Sequence, residues 1–325
     1  MLSVTHIREY QALPMPLNAC NIHVMSSQVQ HGKGFEWAVA LAAKEMFGIR
    51  LLHSDEARRA LSCFSSLSSL KQQSFRACAE KAVAYVADIE KLRPDVAGSV
   101  GLSNDSAGAH GDVRDVILRL GGREIGISCK TNHEAFKHSR LSGNIDFVKK
   151  WGLGAGCSDQ YWSAVRPIFS ELAELRKKSS ARKKWSELGD YQARYYIPVL
   201  DAWRTELLRV AGGDDAESKR TATALCRYII GEVDFWKIVS RPDQVRLYAF
   251  NTQKSLGTNK TVLPNRILGI DNHDGSQYSM TVRMNEGYQF NFRLHNASSR
   301  VEPSLKFDVQ SEGLPNHIHQ HDIFI

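Results

Sequence analysis

The sequence predicts an α/β protein with a helical stretch in its middle and a β-rich C-terminal third. Three observations predict it. Apolar residues recur at helical spacing from Phe35 to the early nineties, two β-prone runs meet at Gly121-Gly122, and short β-type runs broken by Gly, Asn and Pro follow Phe235.

The elements follow in order. Residues 1–30 have no clear period and carry Pro14 and Pro16, so an irregular or short-stranded lead-in is expected. Phe35, Val39, Ala42, Ala43, Met46 and Phe47 form one apolar stripe, entered through a flexible His31-Gly32-Lys33-Gly34. A second helix is expected over Glu56–Leu70. A third covers Lys71–Leu92, with Phe75, Cys78, Ala79, Val83, Val86 and Ile89 on one face and Pro94 as its stop. Gly98–Gly111, rich in Gly, Ser, Asn and Asp, reads as an exposed loop.

Val113–Leu120 and Glu124–Lys130 then read as strands. A Gly-Gly pair between them supplies the positive φ that a tight hairpin turn needs. After a Gly-rich break at Trp151–Gly156, residues 160–230 read as mostly helical, with Val165, Ile168, Phe169, Leu172 and Leu175 apolar at helical spacing. Val245–Phe250, Arg266–Ile270, Tyr278–Met284, Tyr288–Leu294 and Leu305–Val309 are the later strands. The chain divides into residues 1–155 with the hairpin, a helical insertion at 156–235, and a β-rich region at 236–325.

Hydrophobic and charged fractions of 42% and 24% are those of a soluble globular protein. No apolar run approaches the ~18 residues that span a bilayer, and Met1–His6 shows no secretory signal, so a cytoplasmic protein is expected. Six cysteines without a CxxC pair argue against structural zinc and a disulfide framework. The net charge of +7 favours a polyanionic partner. Its densest basic run, Arg176 to Lys184, is either a solvated helix end or a contact to a DNA backbone.

The hairpin holds the chemistry. With the turn at Gly121-Gly122, Arg119 faces Glu124, Ile117 faces Gly126, Asp115 faces Ser128 and Val113 faces Lys130. Asp115 and Lys130 then share one face, while Val116, Leu118, Leu120, Ile125, Ile127 and Cys129 form the other, apolar one. A carboxylate beside a lysine suits metal-assisted phosphodiester hydrolysis: hard oxygen ligands hold Mg²⁺, and an ammonium offsets developing charge. This arrangement resembles the PD-(D/E)xK nuclease hairpin, except that Ser128 stands where a second acid belongs. Asp146 and Glu36 are the rival replacements, Asp112 is near enough to contribute, and the main-chain carbonyl of Cys129 is a further metal donor. Glu124 reads better as the ion-pair partner of Arg119.

The residues around it extend the resemblance. Gly111–Val116, Gly126–His133, Lys137–Ser142, Ile145–Phe147, Phe292–Ala297 and Ser304–Asp308 are similar to the HaeIII family of type II restriction endonucleases, from about Gly32 to the C-terminus. The resemblance implies a restriction-endonuclease-like core of a mixed sheet flanked by helices. It implies Mg²⁺-dependent double-strand cleavage of DNA at 5′-GGCC and a methyltransferase that protects the host's DNA. A palindromic target would suit a homodimer.

Beside a phosphate, Asn132, His133, Lys137, His138, Ser139 and Arg140 are expected DNA contacts. A solvated polar helix start is the plainer reading of that segment. Arg293, His295, Asn296, Arg300 and Lys306 suit a second DNA-facing wall, or simply an exposed sheet. His317, His319 and His321 read as a frayed polar tail, and His110 as a loop residue. A repair nuclease of the same fold, or a DNA-binding regulator that does not cut, would use the same basic surface. Neither a helix-turn-helix nor a zinc finger supports the regulator. A methyltransferase would need a glycine-rich cofactor loop and a Pro-Cys motif that the sequence lacks.

Overall fold

The computed structural model describes residues 27–104, 112–132, 135–178 and 183–325. Helix α1 (Ser27–Phe47) starts earlier than its apolar stripe predicts, and His31 to Gly34 lie inside it rather than in a flexible entry. Packing explains Gly34: an added Cβ would stand 2.8 Å from Leu67 Cδ1, so glycine permits the close approach. The two helices expected over Glu56–Leu70 and Lys71–Leu92 are both present, with the break between them moved back to residues 66–68. Ser54 Oγ caps α2 (Asp55–Ser65), and Ser68 Oγ, accepting from Lys71 N–H, starts α3 (Ser69–Glu90). Phe75, Cys78, Ala79, Val83 and Val86 are buried along α3 as its pattern predicts.

The central sheet is mixed and seven-stranded. It contains β1 (Arg50–Leu51), β2 (Gly98–Leu102), β3 (Val116–Leu120), β4 (Arg123–Thr131), β6 (Phe235–Ser240), β7 (Gln244–Phe250) and β12 (His319–Phe324), in the order β1-β2-β3-β4-β6-β7-β12. Pairs β1–β2 and β4–β6 are parallel and the others antiparallel. The start of the expected loop at Gly98 is thus a strand, anchored by the fully buried Val100. A second, wholly antiparallel sheet has the order β5-β11-β10-β9-β8. Its members are β5 (Lys137–Ser142), β8 (Ile267–Asn272), β9 (Ser279–Met284), β10 (Gln289–Asn296) and β11 (Ser304–Gly313).

Helices α1–α3 cover one face of the central sheet and form one core with Val116, Ile127, Trp236 and Leu247. The other face shares a second core with the antiparallel sheet and α4 (Phe147–Lys150), α5 (Asp159–Lys178), α6 (Ile197–Ala211) and α7 (Asp215–Ile230). Strand β6 is buried along its whole length because Trp236 and Ile238 enter the first core and Phe235 and Val239 the second. The central sheet takes β1–β4 from the N-terminal half and β6, β7 and β12 from residue 235 onward.

Two local expectations change. Lys137–Ser142 is a strand, β5, and not a helix start: Ser139, Leu141 and Ser142 are buried as it pairs with β11. The C-terminal histidines are not a frayed tail. His319 and His321 lie on β12 against β7, where Tyr85 Oη is 2.8 Å from His319 Nε2 and its ring stacks 4.2 Å from His321. Among the described residues no helix is long and apolar enough to cross a membrane.

Candidate active site

Gly121 and Gly122 take φ of +58° and +78°, the values a tight hairpin requires. The register that follows is Leu120↔Arg123, Arg119↔Glu124, Leu118↔Ile125, Ile117↔Gly126 and Val116↔Ile127. Val116, Leu118, Leu120, Ile125, Ile127 and Cys129 are all buried, so the apolar face is the one the alternation predicts.

At Asp115 the pairing departs from simple alternation. Its N–H donates to the carbonyl of Ile127, the residue that already faces Val116. Two residues thus oppose one, a bulge that re-aims the Asp115 side chain. Asp115 Oδ2 accepts from Cys129 N–H at 2.7 Å, Ser128 Oγ at 3.1 Å and Lys130 Nζ at 3.2 Å. The carboxylate and the ammonium meet beside the bulge. Burial would pull the Lys130 ammonium down, but the Asp115 charge and hydrogen bond outweigh it and hold its pKa above the ordinary lysine value. Lys130 is therefore a cation across the neutral range.

Glu36 projects from α1, which packs on β4, and is 6% exposed. Burial, and then the charge of Asp115, push its carboxyl up to about 7, against the opposing influence of Lys33 and Lys130. Glu36 is thus within electrostatic reach of both hairpin groups. Lys33 Nζ donates to Glu36 Oε2 at 3.0 Å one turn back on the same helix. Sequence reasoning missed Lys33, although the i, i+3 spacing was visible.

Asp146 is placed differently. It is the N-cap of α4, accepting from Lys149 N–H at 3.0 Å and Cys157 N–H at 3.1 Å, which holds its carboxyl below the ordinary range despite some burial. Asp112 is gripped by the Arg114 guanidinium, at 2.8 Å to Oδ1 and 2.7 Å to Oδ2. Arg114 also donates to Glu124 at 2.7 Å, and Glu124 meets Arg119 at 2.9 Å. Arg114 lies over Gly126, whose missing side chain leaves it room.

Asp112, Asp115, Ser128, Lys130, Lys137 and His138 are among the residues lining a cleft of about 410 Å³. Among the described residues no group of three or more His, Cys, Asp or Glu side chains could hold a metal ion by itself. Magnesium asks for less: one or two carboxylates, with water and phosphate oxygens completing its octahedron. Asp115 and Glu36 are hard oxygen donors of that kind, so the residues present fit the ion.

The expected DNA contacts divide between two faces. Across the second sheet, His138 pairs with Asp308 and Asp308 with Arg293, while Arg140 pairs with Lys306 and Lys306 with His295. These rungs put His138, Arg140, Arg293, His295 and Lys306 on one polar face. Asp308, 2% exposed and not singled out from sequence, accepts from Arg293 at 3.2 Å and Gln310 at 3.0 Å and lies 3.4 Å from His138 Nδ1. Its alternation with Lys306 was the available signal. Lys137 and Ser139 point the other way, to Tyr228 of α7. Lys137 Nζ is 4.9 Å from the ring centroid and Ser139 Oγ 2.7 Å from the hydroxyl. Asn132 has φ +55° and donates its N–H to Ser240 O, and Asn296 donates to Ser298 O. His110, His133 and residues 179–182 of the basic run lie outside the described residues.

The model of the HaeIII restriction endonuclease family matches residues 32–315. Over 269 residues the chain is 33% identical to the type II restriction enzyme HaeIII of Haemophilus aegyptius, covering 78% of this chain and 82% of that protein. No solved structure matches the chain. A match over nearly the whole chain, with the Asp115–Lys130 hairpin inside it, places this protein in the HaeIII restriction endonuclease family, as a type II site-specific endodeoxyribonuclease.

Proposed function

We propose that the chain makes magnesium-dependent double-strand cuts in DNA at 5′-GGCC, through a PD-(D/E)xK-type site centred on Asp115 and Lys130. The observation that carries this reading is the 3.2 Å contact between Lys130 Nζ and Asp115 Oδ2 at the mouth of a polar cleft. Asp115 and Glu36 would hold the ion. The Cys129 carbonyl leaves β4 on the same edge as the Cys129 N–H that meets Asp115, so it is a third oxygen for the same place. Glu36 from α1 takes over from the acid missing at Ser128, since Asp146 is occupied as a helix cap. Bound Mg²⁺ supplies positive charge for the scissile phosphate and lowers the pKa of a water that attacks it.

The protein's own groups do the rest. Lys130, held protonated by Asp115, donates to a phosphate oxygen and offsets charge as it develops; with its raised pKa it is not the base. Ser128 Oγ and Cys129 N–H keep the Asp115 carboxylate turned toward Lys130. His138, Arg140, Arg293, His295 and Lys306 form the wall that faces the duplex, where arginine and lysine can reach guanine edges and phosphates. A methyltransferase marking the same site protects host DNA, and a two-fold dimer matches the palindrome.

A plasmid digest with Mg²⁺ tests the reading. Discrete fragments ending in GGCC sites, blocked by prior methylation of those sites, are expected. Asp115→Ala and Lys130→Ala should each abolish cutting while binding duplex DNA. Cutting confined to junctions or flaps would make the chain a repair nuclease, and binding without cutting a regulator.

A further inference from the structure

A second cleft, of about 600 Å³, opens between the end of α4 and the outer face of α7. Lys149, Lys150, Lys219, Arg220 and Arg227 line it, with Glu232 as its acid. All five cations are exposed. Among the described residues none of the five closes an ion pair, whereas Arg114, Arg209 and Arg246 each hold a carboxylate. Five like charges facing one hollow repel each other, and that arrangement favours a polyanion whose condensed counterions they can displace.

The cleft also adjoins the candidate active site. Tyr228 lines it, and Lys137, stacked on the Tyr228 ring at 4.9 Å, lines the cleft that holds Asp115 and Lys130. Lys150 and Glu232 are close enough to Lys137 for their charges to act on its ammonium. A chain of phosphates passing Lys137 therefore has a continuous basic path onward along α7.

We propose that this cleft binds the sugar–phosphate backbone of the DNA flanking the cut, contributing affinity without reading sequence. The proposal rests on the nuclease reading above and names a part of the DNA path that the hairpin does not supply.

Arg220→Ala/Arg227→Ala and Lys149→Ala/Lys150→Ala test it, because these exposed side chains can be truncated without disturbing a core. Binding of a target duplex and of an unrelated duplex is measured by fluorescence anisotropy without divalent metal, across a salt series. Each contact to a phosphate accounts for about 0.9 in the slope of log K against log salt. Each double variant should therefore lose about 1–2 from that slope and bind both duplexes at least about tenfold more weakly, with the loss in cleavage appearing in KM. Unchanged slopes in both variants, with wild-type protein still cutting plasmid, would overturn the cleft and leave the nuclease reading standing. A wild type that cuts no DNA would sink that reading instead, and the cleft with it. Loss of inorganic phosphate binding with the duplex slope intact would make the cleft a small-anion site and also overturn the proposal.

Discussion

Lys33 and Glu36, one turn apart on α1, form an ion pair of 3.0 Å in which each side chain is only about a tenth exposed, at 11% and 9%. The pair lies on the helix that packs on the hairpin strands, and Lys33 is one of the groups that set when Glu36 is an anion. Burial and the Asp115 charge push Glu36 up to about 7, while Lys33 opposes both. The ionised form, which a metal needs, is thus gained as pH rises through about 7. Wild-type cleavage at limiting Mg²⁺ should rise over that range. Lys33→Met removes the charge that lowers the Glu36 pKa, so the acid limb should move to higher pH and the Mg²⁺ requirement should increase. Single-turnover rates across pH and Mg²⁺ measure both, and a limb that stays in place would show that Lys33 only fills space.

The same shift has a consequence for stability with the opposite sign. A carboxyl whose folded pKa, about 7, exceeds the ordinary 4.5 holds protons more tightly in the native state, so its contribution is fully present below 4.5 and lost as pH rises through 7. At about 1.36 kcal/mol per unit this is of order 3 kcal/mol. Glu36→Gln cannot lose it, so the variant's stability relative to wild type should improve from pH 5 to pH 8 by up to that amount. Urea melts at the two pH values, without metal, read the difference. An equal gap at both would mean that Glu36 titrates normally.

Much of this was legible in the sequence, and the failures have physical causes. Gly121-Gly122 set the β3–β4 register, because a short turn leaves few alternatives once Val116, Leu118, Ile125 and Ile127 must share a buried face. The bulge at Asp115 was not legible: one displaced hydrogen bond, to Ile127 O, changes no residue pattern. Strand β5 was hidden because Lys137, His138 and Arg140 look solvated, and only pairing with β11 makes the segment extended. Strand β12 was hidden likewise, since its histidines are held by Tyr85, far away in sequence. The environments that distinguish Glu36 from Asp146 needed coordinates, because the burial of Glu36 beside Asp115 and the bond from Cys157 N–H to Asp146 both come from residues distant in sequence.

Asp115 Oδ2 takes all three donors, Cys129 N–H, Ser128 Oγ and Lys130 Nζ, so the parts can be graded. Ser128→Ala removes one neutral donor worth about 1 kcal/mol, and should slow cleavage by roughly fivefold to tenfold. Asp115→Asn removes the charge that supports the Lys130 ammonium and, on the proposed reading, holds the metal, and should slow it by about 10³-fold. Rates measured at saturating DNA separate the two. A Ser128→Ala loss as large as that of Asp115→Asn would mean that the hydroxyl, and not the bulge, sets the carboxylate's direction.

Asp308 holds the middle of the rung that joins His138 to Arg293 on the polar face of the second sheet. Its carboxylate is 2% exposed, while Arg293 is 53% exposed, so the pair is anchored at one end and free to reach a ligand at the other. Asp308→Asn keeps the shape and removes the charge. Because the arginine is half in solvent, the stability cost should be modest, about 1–3 kcal/mol by urea melt. The larger effect should fall on recognition: Arg293, no longer held in one direction, should bind the target duplex about tenfold more weakly. The affinity ratio between target and a single-base variant should shrink as well. A variant that melts earlier yet keeps the wild-type ratio would assign Asp308 to packing alone and remove Arg293 from the reading surface.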